Sequence, residues 1–265
     1  MAQWSGKWAL VSGASAGIGK ALAEELARDG THLVLTARRV DRLEQLAQQL
    51  ASVHKIETKV FPADLARADA PQKIFEFTQQ NGLEIELLVN NAGFGAYGEF
   101  YKVDAQRFLD MVQVNCAAVV HLTRLYLPLM IARRHGDILI VSSTAAFQSV
   151  PYISTYAATK AFDLLFAEGL AEEVKAHGVG VCALCPGSTE SEFGQVAGQT
   201  NLAVSKRHRE TAEKVAHTGL QALAAGKSTV ISGVPNFLGV LGQRLAPRRF
   251  VTRVAARLFK PPTAP

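Results

Sequence analysis

Tyr156 and Lys160 stand four residues apart in the stretch STYAATK, among small side chains. On a helix the two lie on one face, so the phenol neighbours the ammonium. A free phenol ionises near pH ~10, and an adjacent positive charge favours phenolate, lowering that value toward the working range of a proton donor. The pair therefore suits acid/base chemistry, although an ordinary helix surface pair has the same spacing. A second pattern, SGASAGIGK, holds Gly13, Gly17 and Gly19. Glycines where a strand turns into a helix permit a tight bend and the close approach of a pyrophosphate, whose charge the helix N-terminus stabilises. A third feature is LTARR, where Ala37 occupies the place of a ribose-binding carboxylate and Arg38 and Arg39 follow. Guanidiniums there accommodate a 2'-phosphate, so NADP(H) is expected over NAD(H).

These groups need elements to hold them. Strand-like runs alternate with helical ones along the chain: WALVSG, a helix 18–29, HLVLTA, a helix 40–51, TKVFPA and a helix 71–80. IELLVNNAG, a long helix of about 104–134, DILIVSS, a helix of about 152–177, VGVCALCPG and STVISG follow. Seven strands interleaved with helices predict a single α/β Rossmann domain, a doubly wound parallel sheet covered by helices on both faces. Their apolar, non-alternating composition suits strands buried on both sides. With 265 residues and 48% hydrophobic content the chain can fill one such core. We divide it into a catalytic domain at 1–235 and a basic amphipathic extension at 236–265.

No uninterrupted apolar run reaches the roughly 18 residues that span a bilayer, and the opening residues break into glycines too soon for a signal peptide. The three cysteines agree with a reducing, cytoplasmic location. Cys182 and Cys185 form a CxxC, yet strand alternation predicts opposite faces for them, and no metal site is expected.

In register along residues 5–235, several motifs together resemble the short-chain dehydrogenase/reductase family. They are the glycine turn, ADL with Asp64, NNAG at 90–93, Asn115, the serine pair 142–143, YAATK and PGST at 186–189. The resemblance implies that Tyr156 is the general acid/base protonating a carbonyl oxygen as hydride arrives from the nicotinamide. Lys160 would lower its pKa and hold the nicotinamide ribose. Ser143, thirteen residues before Tyr156, would hydrogen-bond the substrate oxygen, with Ser142 as its competitor. Asn115 would hold a water relay leading from Lys160. The cofactor set would comprise Gly13, Ser15, Gly17, Ile18, Gly19, Arg38, Arg39, Asp64, Asn91, Gly93, Pro186, Gly187 and Thr189 beside Tyr156 and Lys160. Ser12 replaces the usual threonine, and Ala16 replaces the basic residue many NADPH-preferring members carry before Gly17.

Substrate loops should follow the carboxyl ends of the strands, at 93–100, 144–153 and about 190–209. They carry Phe94, Tyr97, Phe147, Tyr152 and Phe193, which suit an apolar acyl, steroid-like or aryl ketone. Two other functions share parts of this pattern: a catalytically silent NADP-binding regulator or adaptor, and a sugar-nucleotide epimerase-type enzyme. The intact Ser143, Tyr156 and Lys160 argue against the first, and the short substrate lobe against the second.

After Glu213 the chain has no acidic residue but eight basic ones: Lys214, Lys227, Arg244, Arg248, Arg249, Arg253, Arg257 and Lys260. The net charge is +5, so the remainder is net acidic. Phe250, Val251, Val254, Ala255, Leu258 and Phe259 recur at helical spacing beside Arg249, Arg253 and Arg257, a basic amphipathic helix. Such a helix could rest on an anionic membrane, meet an acidic substrate carrier, or pack on its own subunit. Nucleic acid is not expected, for want of interleaved basic and aromatic residues on a recognised module. The family resemblance implies a homodimer or homotetramer paired through the two long helices.

Overall fold

The computed structural model describes residues 2–198 and 209–261. Seven parallel strands form one sheet in the order β3-β2-β1-β4-β5-β6-β7. They are β1 (Trp8–Ser12), β2 (His32–Thr36), β3 (Thr58–Val60), β4 (Ile85–Asn90), β5 (Gly136–Val141), β6 (Val179–Cys185) and β7 (Thr229–Ile231). The order reverses direction between β1 and β4, and that switch point opens a crevice beyond the strand carboxyl ends.

The strands carry almost no polar alternation because both faces are covered. Ala9 and Val11 of β1 pack on one side, against α1 (Gly17–Arg28), α2 (Val40–His54) and α8 (Ala212–Ala224). Leu10 packs on the other, against α3 (Ala70–Gln80), α5 (Ala118–Arg133) and α6 (Ser154–Val174). Cys182 and Cys185 fall into these two opposite layers. Burial pushes both thiols up to about 12, so neither is a thiolate at neutral pH.

Where the sequence predicts one continuous helix at about 104–134, the structure has α4 (Ala105–Val112), a π-turn (Gln113–Ala117) and α5. The inserted turn sets Asn115 facing inward: its amide bonds outside the helix, to Phe94 N and O and to Thr159 Oγ1. A widened turn carrying a satisfied polar residue is a common functional device. The stretch Ala105–Arg133 is also long and apolar enough, by length and composition, to cross a membrane, which a count of uninterrupted apolar residues does not register. Half of its most apolar window is buried inside the fold, and Ala118, Leu122, Tyr126 and Met130 pack in the core.

Short α7 (Phe193–Val196) follows β6, and the chain ends with α9 (Val234–Arg244) and α10 (Arg248–Leu258). Asn236 bonds Ser232 O (2.7 Å) and Glu210 Oε2 (3.2 Å), while Val240 and Ala255 are buried. These contacts join the last helices to the sheet domain.

Candidate active site

The β1–α1 turn is shaped by sterics. Gly13 has φ +68° and a side chain there would stand 2.9 Å from Ala92 Cα; one at Gly19 would collide with Gly13 O and Asn91 Nδ2. Ser12 shows why a hydroxyl suffices where threonine is usual. It donates to Val89 O (3.1 Å) and accepts from Asn91 N and Ala92 N (3.0 Å each), stitching β1 to β4. Asn91, expected beside the adenosine ribose, spends its amide on Ser12 O (2.8 Å) and Gly13 O (3.3 Å) and so braces the turn.

A cleft of about 790 Å³ opens above this turn. Gly13, Ser15, Gly17, Ile18, Asp64, Asn91, Gly93, Pro186, Gly187 and Thr189 line it, as do Arg38, Arg39, Ser143, Tyr156 and Lys160. Gly19 lies beneath the turn and Asn115 is fully buried behind the wall. Asp64 Oδ1 accepts from Ala66 N (3.1 Å). Thr189 Oγ1 donates to Gly187 O (3.2 Å), closing a turn at the end of β6.

The two arginines after β2 differ. Arg39 bonds Ser15 Oγ (3.1 and 3.2 Å) and pairs with Glu192 at 2.6 Å; Arg42 holds the other Glu192 oxygen at 2.7 Å. Hydrogen bonds from these guanidiniums keep the Glu192 carboxyl below its ordinary range. Arg38 lines the cleft, exposed, with no ion pair among the described residues. An unpaired guanidinium beside a strand end that lacks an acid fits a 2'-phosphate, and the close-packed glycine turn fits a pyrophosphate. Glu192 and Arg42 escaped the sequence reading because 150 residues separate them.

Helix α6 presents Tyr156 and Lys160 as its small residues allow: Ala157 is buried against the following wall. Ser142 Oγ donates to Lys160 O (2.7 Å), so it anchors the helix, while Ser143 Oγ accepts from Ala145 N (3.1 Å) at the cleft beside Tyr156. Lys160 is 5% exposed, and its Nζ donates to Val141 O (2.7 Å) and to Asp163 Oδ2 (2.9 Å). Asp163 is wholly buried. It too was absent from the sequence-based expectations, although a carboxylate three positions after a lysine on the inner face of an apolar helix is a visible signal.

This pairing alters the electrostatics anticipated for the phenol. Burial raises the Tyr156 pKa; the Lys160 charge and the Ser143 hydrogen bond pull it down, and the Asp163 charge pushes it up again, leaving it above the ordinary value. Lys160 alone would lower it, but its charge is shared with a carboxylate. Burial works to lower the Lys160 pKa, and the charge and hydrogen bond of Asp163 reverse that, so the ammonium persists.

Of the anticipated aromatics, Phe94 and Phe193 line the cleft. Phe193 sits 5.1 Å from the Tyr156 ring, and Arg107 binds Gly95 O and Val196 O while its guanidinium lies over Phe94. Tyr97 and Phe147 pack into the walls behind instead. Phe259, from the end of α10, joins Ile153 at the cleft. Residues 199–208 of the third expected loop lie outside the described residues.

The short chain dehydrogenase family model matches residues 7–202. The chain is 37% identical to very-long-chain 3-oxoacyl-CoA reductase-B of Danio rerio, over 83% of this chain and 71% of that protein. It is 34% identical to the Homo sapiens very-long-chain 3-oxoacyl-CoA reductase, over 88% and 77%. Among solved structures it resembles a short-chain dehydrogenase from Sphingobium yanoikuyae in complex with NADPH (28% identity, TM-score 0.81, 90% of this chain and 94% of that one). It also resembles a 7β-hydroxysteroid dehydrogenase (25% identity, TM-score 0.87, 96% and 98%). The glycine turn, the sheet order and these matches agree: the chain belongs to the short-chain dehydrogenase/reductase family and is an NADP-dependent oxidoreductase.

Proposed function

We propose that this enzyme reduces a 3-oxoacyl thioester carrying a long apolar chain, with Tyr156 as the proton donor. The observation that carries this reading is the cleft itself, which sets the Tyr156 phenol beside Ser143 and Lys160 and gives it a wall of Phe94, Phe193 and Phe259. The names of the 3-oxoacyl-CoA reductase relatives favour an acyl substrate within that apolar class.

Bound NADPH supplies the hydride. Ser143 donates a hydrogen bond to the substrate oxygen and so orients the carbonyl. Tyr156 gives its proton to that oxygen as negative charge develops there, and the Lys160 ammonium stabilises the phenolate left behind. A phenol kept above its ordinary pKa by burial remains protonated across neutral pH, the state that reduction requires. Asp163 positions Lys160 and keeps it charged. Asn115, whose amide already has its partners, holds the 93–94 backbone and Thr159 in place around the proton path. Arg38 would meet the 2'-phosphate, and Ser15, Gly17, Ile18, Asp64 and the 186–189 turn would hold the rest of the nucleotide.

The test is NADPH oxidation across 3-oxoacyl thioesters of increasing length. kcat/KM should rise with chain length, by up to about 0.8 kcal/mol per buried methylene, until the cleft is filled. Turnover of steroid or aryl ketones with none of any thioester would overturn the substrate class. That bulky-ketone reading is second, favoured by the 7β-hydroxysteroid dehydrogenase likeness. A silent NADP-binding role and sugar-nucleotide chemistry gain no support from the relatives and solved structures named above.

We also propose that residues 236–265 form an extension completing the cleft of the 1–235 unit, and that the enzyme works in the reducing cytoplasm. A homodimer or homotetramer is proposed through the long helices, whose Leu109, Val112, Phe162 and Leu165 face outward.

A further inference from the structure

Helix α9 is amphipathic in the wrong sense for a helix that only packs on its own domain. Val234, Phe237, Leu238, Leu241 and Leu245 follow one another at the spacing of a single face, and all five are exposed, Phe237 by 51% and Leu245 by 87%. The opposite side buries Val240. In α10, Phe250, Val254 and Leu258 make a second exposed stripe, with Ala255 as the buried anchor. Arg249, Arg253 and Arg257 run alongside, and Arg244 and Arg248 flank the link between the helices. None of these five exposed arginines has an acidic partner among the described residues. An apolar patch of this extent, rimmed by unpaired positive charge, marks a contact surface.

We propose that the α9–α10 pair docks the enzyme on an anionic lipid bilayer. A second copy of the chain fits poorly, because a two-fold contact sets a patch against itself and would bring the five arginines together. An acidic protein would answer the arginines, but its charge gives the aromatic and leucine stripe of α9 no apolar medium. A bilayer surface offers both at the required depth: anionic headgroups for the arginines and acyl chains for Phe237, Leu238, Leu241 and Phe250. The same helix pair reaches the catalytic cleft, since Phe259, one residue beyond exposed Leu258, lies at its wall. The docked face thus adjoins the cleft mouth, where an apolar chain would enter. Docking itself does not depend on the substrate reading, because none of the surface residues belongs to the catalytic set.

The experiment is sedimentation of the full chain with vesicles of phosphatidylcholine, alone or mixed with phosphatidylglycerol. Three proteins are compared: the unaltered chain, the triple variant R249E/R253E/R257E and the double variant F237S/L241S. A circular dichroism melt and NADPH binding establish that each is folded. The unaltered chain should sediment with the anionic vesicles, salt should weaken it, and each variant should lose about tenfold or more in partitioning. Failure of the unaltered chain to bind anionic vesicles, or equal binding by the variants, overturns the proposal. So does concentration-dependent self-association that F237S/L241S abolishes while vesicles are ignored, which assigns the face to a second copy. Retention on soluble polyglutamate, with no need for Phe237 or Leu241 and no vesicle binding, overturns it in favour of an acidic protein.

Discussion

Lys160 and Arg253 carry the same charge on two helices of one molecule, and their surroundings are opposite. Lys160 is buried under the cleft wall, with Val141 O and the Asp163 carboxylate as partners. Arg253 is exposed on α10, with no ion pair among the described residues and no acidic side chain in the sequence after Glu213. In the interior a charge is tolerated only where another group answers it, because the loss of water is otherwise uncompensated. On the surface water answers it, so an arginine can wait for a ligand that is not part of the chain. Charge at the catalytic wall is therefore spent on holding geometry, and charge in the tail is held available.

The largest effect expected from disturbing this arrangement is at the phenol that Lys160 serves. Tyr156→Phe should cut NADPH-dependent turnover by roughly a hundredfold or more while NADPH binding, followed by fluorescence, stays nearly unchanged. Retention of a tenth of the rate would remove Tyr156 from its assigned part.

Next is the partner. Asp163→Asn strips the buried ammonium of its counter-charge, and thermal or denaturant unfolding should register a loss of about 3–5 kcal/mol. Its pH profile separates positioning from mere packing. The Asp163 charge raises the pKa of both Tyr156 and Lys160, so its removal lowers both. Reduction needs a protonated phenol, and the alkaline fall in kcat should therefore move to lower pH. An unmoved alkaline limb in a folded variant would show that Asp163 only packs.

Arg38 is the intermediate case, a cation at the cleft with no ion pair among the described residues. Arg38→Ala should weaken NADPH by about 1.5–3 kcal/mol and NADH much less. Arg39→Ala should cost less, since Glu192 and Ser15 already engage that guanidinium. Equal losses for both cofactors would mean that Arg38 shapes the loop and does not read the phosphate.

The smallest effect belongs to the tail. Arg253→Gln should change folding stability by less than about 0.5 kcal/mol, because the side chain is exposed and has no ion pair among the described residues. A larger change would reveal an internal partner and dissolve the contrast with Lys160.

Much of the sheet was legible from the chain alone. A strand buried on both faces, such as IELLVN, must be apolar throughout, and the turn after β1 must be glycine-rich where Asn91 and Ala92 crowd it. The π-turn at 113–117 was not legible, since the bonds that accompany it join Asn115 to the Phe94 backbone, twenty-one residues away. Nor was the rise of the Tyr156 pKa: local spacing shows Lys160 beside it, whereas desolvation depends on what covers the pair. The aromatic residues divide in the same way. Phe94 and Phe193 reach the cleft, Tyr97 and Phe147 serve its walls, and Phe259 arrives from the far end of the chain.

The sequence by itself determined the element order, the glycine turn, the absence of an acid after β2, the Tyr156–Lys160 pair and the basic tail. All of these are set by residue type and by spacing within a turn or two of chain. Only the tertiary structure decided that Asp163 answers Lys160, that Glu192 holds Arg39 while Arg38 has no ion pair among the described residues, and that α9 turns its apolar stripe outward. A helical pattern specifies which side chains share a face, but which way that face points is settled by the rest of the fold that packs against the other side.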